Sequence, residues 1–142
     1  MAEYIFRQTV GSEESHDDLL MSNVAIVKGQ VLYRASGYVT NASAAAITCQ
    51  TVVGVAAETV DNSGGAAGDK KVNTILNYDA LYEAPSSGTL SQAQVGTNVT
   101  MDAVTNFDED DPVNDYTGVI HIFKRLSASK GLVRLNFFSP RA

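Results

Sequence analysis

The feature that most constrains this chain is how often its apolar runs are interrupted. From Val24 onward, short β-branched and aromatic stretches are cut by glycine-bearing turns: VAIV, then Lys28-Gly29-Gln30, then VLYRA, then Ser36-Gly37, then YVT. Runs this short, bounded by turn residues, specify β-hairpins and leave no room for an organising helix. Thr51-Val52-Val53-Gly54-Val55-Ala56 and Val72-Asn73-Thr74-Ile75-Leu76 continue the pattern across a glycine-rich loop at residues 61–71. Gly54, inside a strand, marks a bulge or a close backbone approach. Later come NVTM, Val119-Ile120-His121-Ile122-Phe123 and Leu132-Val133-Arg134-Leu135-Asn136-Phe137, the last alternating apolar and polar with period two. Helix is confined to single turns at Ser43-Ala44-Ala45-Ala46 and Ser91-Gln92-Ala93-Gln94, with Ser91 near an N-cap. The expected fold is all-β: a small barrel or sandwich of short antiparallel strands with one or two short helical turns.

A chain of 142 residues fits one domain. Residues 1–23 are polar and acidic apart from Tyr4, Ile5 and Phe6, and read as an extended N-terminal arm, poorly ordered alone. Residues 24–142 then form a single β domain. Within it Gly29-Gln30-Val31-Leu32-Tyr33 followed by Thr51 to Val55 echoes Gly96-Thr97-Asn98-Val99-Thr100-Met101 followed by Tyr116 to Ile120. Each pair is closed by a strand, Val72 to Leu76 and Leu132 to Phe137, so two similar β-units packed as one barrel are expected. Residues 102–115 read as a long acidic loop.

Charge excludes several functions. Formal net charge is -6, which disfavours free nucleic acid and anionic membranes as partners. The distribution is uneven: all 16 acids precede residue 116, while Lys124, Arg125, Lys130, Arg134 and Arg141 follow it. That basic end is either a solvated hairpin or a docking face for an acidic partner or a neighbouring copy. The single cysteine, Cys49, excludes an internal disulfide and any multi-cysteine zinc site, and reads as a buried thiol. No basic, apolar leader opens the chain, and the longest uncharged run, residues 35–57, carries too many polar residues and glycines for a bilayer span.

No set of residues supplies a nucleophile, a base and an orienting group together. Ser15-His16-Asp17 cannot be a triad, because successive side chains of an extended segment alternate in direction. His121 lies on the polar face of its strand. The segment Asn62 to Lys71 fails the phosphate-loop spacing, with Asp69 before Lys70 where glycine is required, and reads as a flexible hairpin tip. Asp108-Glu109-Asp110-Asp111 lacks the glycine and terminal glutamate of an EF-hand and reads as solvated acid. The expectation is a protein that is not an enzyme and needs no cofactor or metal.

Several stretches together resemble a known family. Val27-Lys28-Gly29-Gln30-Val31-Leu32-Tyr33, then Val52-Val53-Gly54-Val55-Ala56, Gly68-Asp69-Lys70-Lys71-Val72-Asn73 and Tyr82-Glu83-Ala84 resemble the head decoration, or cement, proteins of tailed bacteriophages, such as lambda head protein D. The segments from Val95 to Met101, Gly118 to Ile120 and Gly131 to Leu135 are similar to the later strands of those families. The resemblance implies a β-rich structural virion protein made in the host cytoplasm. It would sit, usually as a homotrimer, on the outside of an assembled capsid, contact the major capsid protein and stabilise the shell against internal DNA pressure. It also implies an N-terminal arm that pairs with the shell. The apolar character of Tyr4, Ile5 and Phe6, with Arg7 beside them, makes these the expected arm contacts, and Lys124, Arg125, Lys130 and Arg134 form the second expected docking face. The alternative is a β-sandwich module binding carbohydrate or a host surface, displayed on a virion. The lack of tryptophan and the scatter of Tyr33, Tyr38, Tyr78, Tyr82 and Tyr116 weigh against it.

Overall fold

The computed structural model describes residues 6–10, 15–76 and 80–137. Thirteen strands follow in chain order: β1 Arg7–Val10, β2 His16–Leu20, β3 Ala25–Ile26, β4 Val31–Ala35, β5 Tyr38–Thr40, β6 Val52–Ala56, β7 Val60–Asp61, β8 Lys71–Ile75, β9 Leu81–Pro85, β10 Asn98–Ala103, β11 Asn106–Pro112, β12 Ile120–Ser127 and β13 Lys130–Leu135. Two single 3-10 turns, Ala44–Ala46 and Gln92–Gln94, sit where helical turns were expected, the second with Ser91 and Gln94 forming a capping box. The fold is all-β.

The strands make a five-stranded sheet, β2-β8-β6-β4-β5, a six-stranded sheet, β1-β9-β13-β12-β10-β11, and a two-stranded ribbon, β3-β7. Five strands of each large sheet share one plan. Leu32 faces Gly54 as Val99 faces Ile120, and Val55 faces Ile75 as His121 faces Arg134. Asn73 faces Asp18 as Leu132 faces Glu83. Each plan closes by a parallel bridge between its first and last strands, Met21 to Val39 and Ser86 to Phe107. Gly29 and Gly96 occupy one structural position, both at positive φ (+91° and +90°), with their N–H groups donating to the equivalent carbonyls of Ala56 and Ile122 at 2.9 and 2.7 Å. The echo seen in the sequence is therefore a register-for-register repeat. In its second strand the sequence alignment is one residue off: Gly54 matches Ile120, because each strand's pairing partner, not its local residue pattern, sets the register.

The units stack in three layers. Val31, Tyr33, Val52 and Val55 project from one face of the first sheet into a core shared with Tyr82, Phe107, Ile122 and Val133 of the second. Leu32, Val53 and Ala56 project from the other face, where Ile26 of the ribbon, Met21, Val39 and Val72 complete a second core. A sheet covered on both faces needs a continuously apolar central strand, and β6 is buried at all five positions.

Two expectations are corrected. Residues 102–115 are largely strand, because Phe107 is fully buried and pins β11 against β10 despite its acidic neighbours. The carboxylates are tolerated where the register jumps from Thr100↔Asp108 to Val99↔Pro112, leaving residues 109–111 as a bulge. Residues expected to form a free arm also join the sheets: β1 pairs with β9 and β2 with β8.

Gly54 shows why the stacking is demanding. A Cβ there would lie 1.9 Å from the Ile75 carbonyl oxygen, a backbone atom that cannot swing aside. Gly54→Ala is expected to destabilise the fold by about 3 kcal/mol or more in urea denaturation, against a change within about 0.5 kcal/mol for Gly64→Ala, where a Cβ meets open space.

Candidate functional site

The outer face of the second sheet ends the stack, and the repeat explains its chemistry. Val31, Val55 and Ile75 of the first sheet are buried, whereas their counterparts in the second are Asn98, His121 and Arg134, with Arg134 exposed. Glu83, Leu132 and Lys130 extend this face across β9 and β13. Glu83 Oε2 accepts a 2.9 Å hydrogen bond from Arg7, and its Oε1 accepts one from Lys130 at 3.2 Å. These hydrogen bonds, that from Arg7 foremost, hold the Glu83 carboxyl below the ordinary carboxylate range. One residue of the expected arm and one of the expected basic face are thus brought together on a single acid. Both cations keep much exposure, so the pairs contribute little to stability and leave positive charge facing solvent.

Beside this face, Nδ1 of His121 and Nδ2 of Asn136 converge on Asn98 Oδ1, each at 3.0 Å, and Asn136 also donates to the Gly118 carbonyl at 2.8 Å. Burial, then the Arg134 charge across the strand pair, pushes the His121 pKa down. The imidazole is a structural group locked into an amide network. Cys49 is buried under the same segment, its Sγ 3.7 Å from the Gly118 carbonyl, and burial, chiefly, pushes its thiol up to about 11.

Strand β12 runs past β10 into a hairpin with β13, which lies alongside β9, the Ala128 and Ser129 carbonyls of its turn accepting from the Leu90 and Ser86 N–H groups. Its register slips twice, once between Ile122 and Lys124 and again between Arg125 and Ser127. The two extra residues are Phe123 and Leu126, 55% and 42% exposed. Alternation after Ile122 already sends Phe123 outward; the first bulge keeps Lys124 on that face as well, and Leu126 is the exposed extra residue of the second. Arg125 is tied down through Nε to the Leu90 carbonyl at 2.8 Å. Lys124 has no hydrogen-bond or ion-pair partner among the described residues.

At the opposite end of β10 lies an open cleft of about 410 Å³. Buried Ile47 and Met101 form its floor, and Asp102, Asp108, Asp111, Thr100 and Thr117 its rim. Asp111 accepts a 2.7 Å hydrogen bond from Thr100. Glu109 turns away from this acidic rim and is 2% exposed, accepting hydrogen bonds from the Gly88 N–H at 2.7 Å and Ser87 Oγ at 3.3 Å. The four-acid run is thereby split, and no three metal-ligating side chains converge among the described residues.

The glycine-rich segment differs from the flexible tip expected of it. Asn62 is buried and donates to the Ser22 and Ala66 carbonyls, Asp69 Oδ2 accepts from the Ala66 N–H, and Lys70 Nζ reaches the Asp61 carbonyl. The loop satisfies its own polar groups, and its lysine points into it.

Of the expected arm contacts, Tyr4 and Ile5 lie outside the described residues. Phe6 is 3% exposed and packs in the chain's own main core, its ring 6.0 Å from that of Tyr82 and its N–H bonded to the Gly29 carbonyl at 2.9 Å. Phe6 is therefore unavailable to a partner: the open end of the stacked sheets offers it a closer apolar site. Sequence reasoning missed Phe123 and Leu126 as exposed residues: the alternation of β12 already puts Phe123 outside, but the bulge at Leu126 leaves no mark in it. It also missed the cleft, whose walls come from segments some 50 residues apart. Among the described residues no helix is long and apolar enough to cross a membrane. No family model matches the chain, and no curated protein matches it.

Phe6→Ala should destabilise the fold by about 3–5 kcal/mol in urea denaturation, the range for a buried aromatic; a change below about 1 kcal/mol would show Phe6 acting elsewhere. His121 adds a pH dependence. Its folded pKa lies below the unfolded value, so the unfolded chain binds the proton first. Its contribution is complete above about pH 6.5 and is lost as pH falls toward the folded value. His121→Gln should flatten that part of a plot of denaturation midpoint against pH.

Proposed function

We propose that the chain is a structural virion protein that binds the outside of an assembled phage capsid and stabilises it against the pressure of packaged DNA. The observation that supports this most is the outer face of the second sheet. It is a broad strand surface carrying Arg7, Lys130 and Arg134, on a chain whose net charge is negative. Such a face suits docking on a large acidic surface, and electrostatic complementarity would set its orientation and association rate. The resemblance of the strand segments to head decoration proteins supports the same reading and adds the homotrimer, the capsid exterior and the major capsid protein as partner.

The function would be mass action without turnover. A ligand that binds only the assembled shell stabilises it by about 2.7 kcal/mol per site at a hundredfold excess over its dissociation constant. Tyr4 and Ile5, immediately before the buried Phe6, are the apolar residues left to reach a partner. Removing residues 1–23 would strip out β1, β2 and Phe6, so a clean test deletes only residues 1–5.

Particles assembled without the chain should lose DNA at lower temperature than decorated ones, and adding the chain back should restore them. Arg134→Glu should weaken binding to such particles by about tenfold or more at low salt and by less at high salt. Stripped particles as robust as decorated ones, together with tight glycan binding by the free chain, would favour a displayed carbohydrate-binding module instead.

A further inference from the structure

We propose that the β12–β13 hairpin is a docking prong whose occupant is the acidic cleft of a second copy of this chain, giving head-to-tail self-assembly. The prong presents Phe123 and Leu126 with the unpartnered ammonium of Lys124 between them. The cleft offers the complementary arrangement, an apolar floor of Ile47 and Met101 under a rim of Asp102, Asp108 and Asp111. Its volume of about 410 Å³ falls within the range of clefts that enclose small ligands, about 300–1,000 Å³.

Register forbids the contact within one chain. Asn98 faces His121 and Val99 faces Ile120 in antiparallel pairing, so β10 runs on to Thr100, Met101 and Asp102 in the direction opposite to that in which β12 runs on to Phe123 and Leu126. Prong and cleft therefore lie at opposite ends of the same strands and can meet only between chains. A contact that joins two different surfaces is heterologous, and it closes into a ring or propagates as a filament according to its rotation. Like charge argues against two alternative pairings, since prong against prong opposes cations and cleft against cleft opposes carboxylates. Phosphate backbones and anionic bilayers would meet the same carboxylates on a chain of net charge -6, so a second copy fits better than either.

The repeat adds an independent argument. In the first unit the strand equivalent to β12 is β6, which ends at Ala56, the position matching Ile122, and the strand equivalent to β11 is β5, with three residues against seven. The hairpin beyond Ile122 and Asp111 of the rim are thus what the second unit adds to the common plan, while Asp102 and Asp108 stand where the first unit has Ala35 and Thr40. The proposal does not rest on the shell reading.

The test uses free full-length protein in sedimentation velocity. The wild type should assemble with rising concentration, and added salt should weaken assembly. A prong variant, Phe123→Ser with Lys124→Glu, and a cleft variant, Asp102→Lys with Asp111→Lys, should each remain monomeric to at least about tenfold higher concentration. Mixed in equal amounts they should form a one-to-one dimer and stop there, because each retains one working surface. Wild-type chain still monomeric at about 1 mM, variants that assemble like the wild type, or a mixture that stays monomeric would each overturn the proposal. Thermal melts confirm that the variants are folded, and Phe123→Ser alone with Asp102→Asn serves if a charge reversal is not. Since no shell is present, failure here leaves capsid binding untouched, and failure to bind particles leaves this contact untouched.

Discussion

Everything in this molecule depends on the seam where Val31, Tyr33, Val52 and Val55 of the first sheet enter the core of the second. A five-stranded sheet of short strands gains little alone; the first unit closes one core with the ribbon, and the second fills its core with side chains from its neighbour. Stacking solves this by letting the outer face of one unit complete the inside of the other. The cost is geometric, since a sheet buried on both faces admits no polar side chain at its centre and little bulk. Strand β6 meets both demands with two valines, a glycine, a valine and an alanine. Its bulge sends Val52 and Val55 to one core and Val53 and Ala56 to the other.

The repeat then explains why stacking ends at two units. If the second unit carried apolar residues at the positions matching Val31, Val55 and Ile75, its outer face would be another sticky seam open to any chain. It carries Asn98, His121 and Arg134, and the first two bond each other in a network with Asn136. The same positions are adhesive in one unit and polar in the other. That difference leaves charge, not apolar area, on the outer face of the second sheet. Strand β1 continues the logic at the sheet's side, where the Arg7 and Lys130 pairing with Glu83 spans three neighbouring strands.

Much of the β pattern is legible in the sequence because it is local. The turn glycines, the period-two alternation of β13 and the single helical turns all follow from neighbours along the chain. Even the repeat shows through Gly29 and Gly96, since both sit at positive φ, where glycine is favoured. What stays hidden is non-local. Nothing near Phe6 says that its ring belongs beside Tyr82, and nothing in an acid-rich stretch such as Asn106–Pro112 predicts a strand until Phe107 has a core to enter. Propensity loses there to one buried aromatic. The candidate surfaces are hidden for the same reason. The basic residues can be counted in the sequence, but whether Arg125 is free or tied to Leu90, and whether Leu126 faces in or out, depends on register.

Register also makes the exposed apolar residues of β12 informative. A strand continuing the alternation of Ile120 and Ile122 without interruption would have sent every second side chain toward the core. That alternation would leave Phe123 outside and Leu126 inside; the two bulges give up regular ladder bonds and leave Leu126 in water as well, which folding alone does not reward. The first unit shows that the plan closes without such an extension. The shortest account of both bulges is therefore a selective advantage outside the isolated chain, because only a surface that covers Phe123 and Leu126 would recover the apolar burial that their positions forgo.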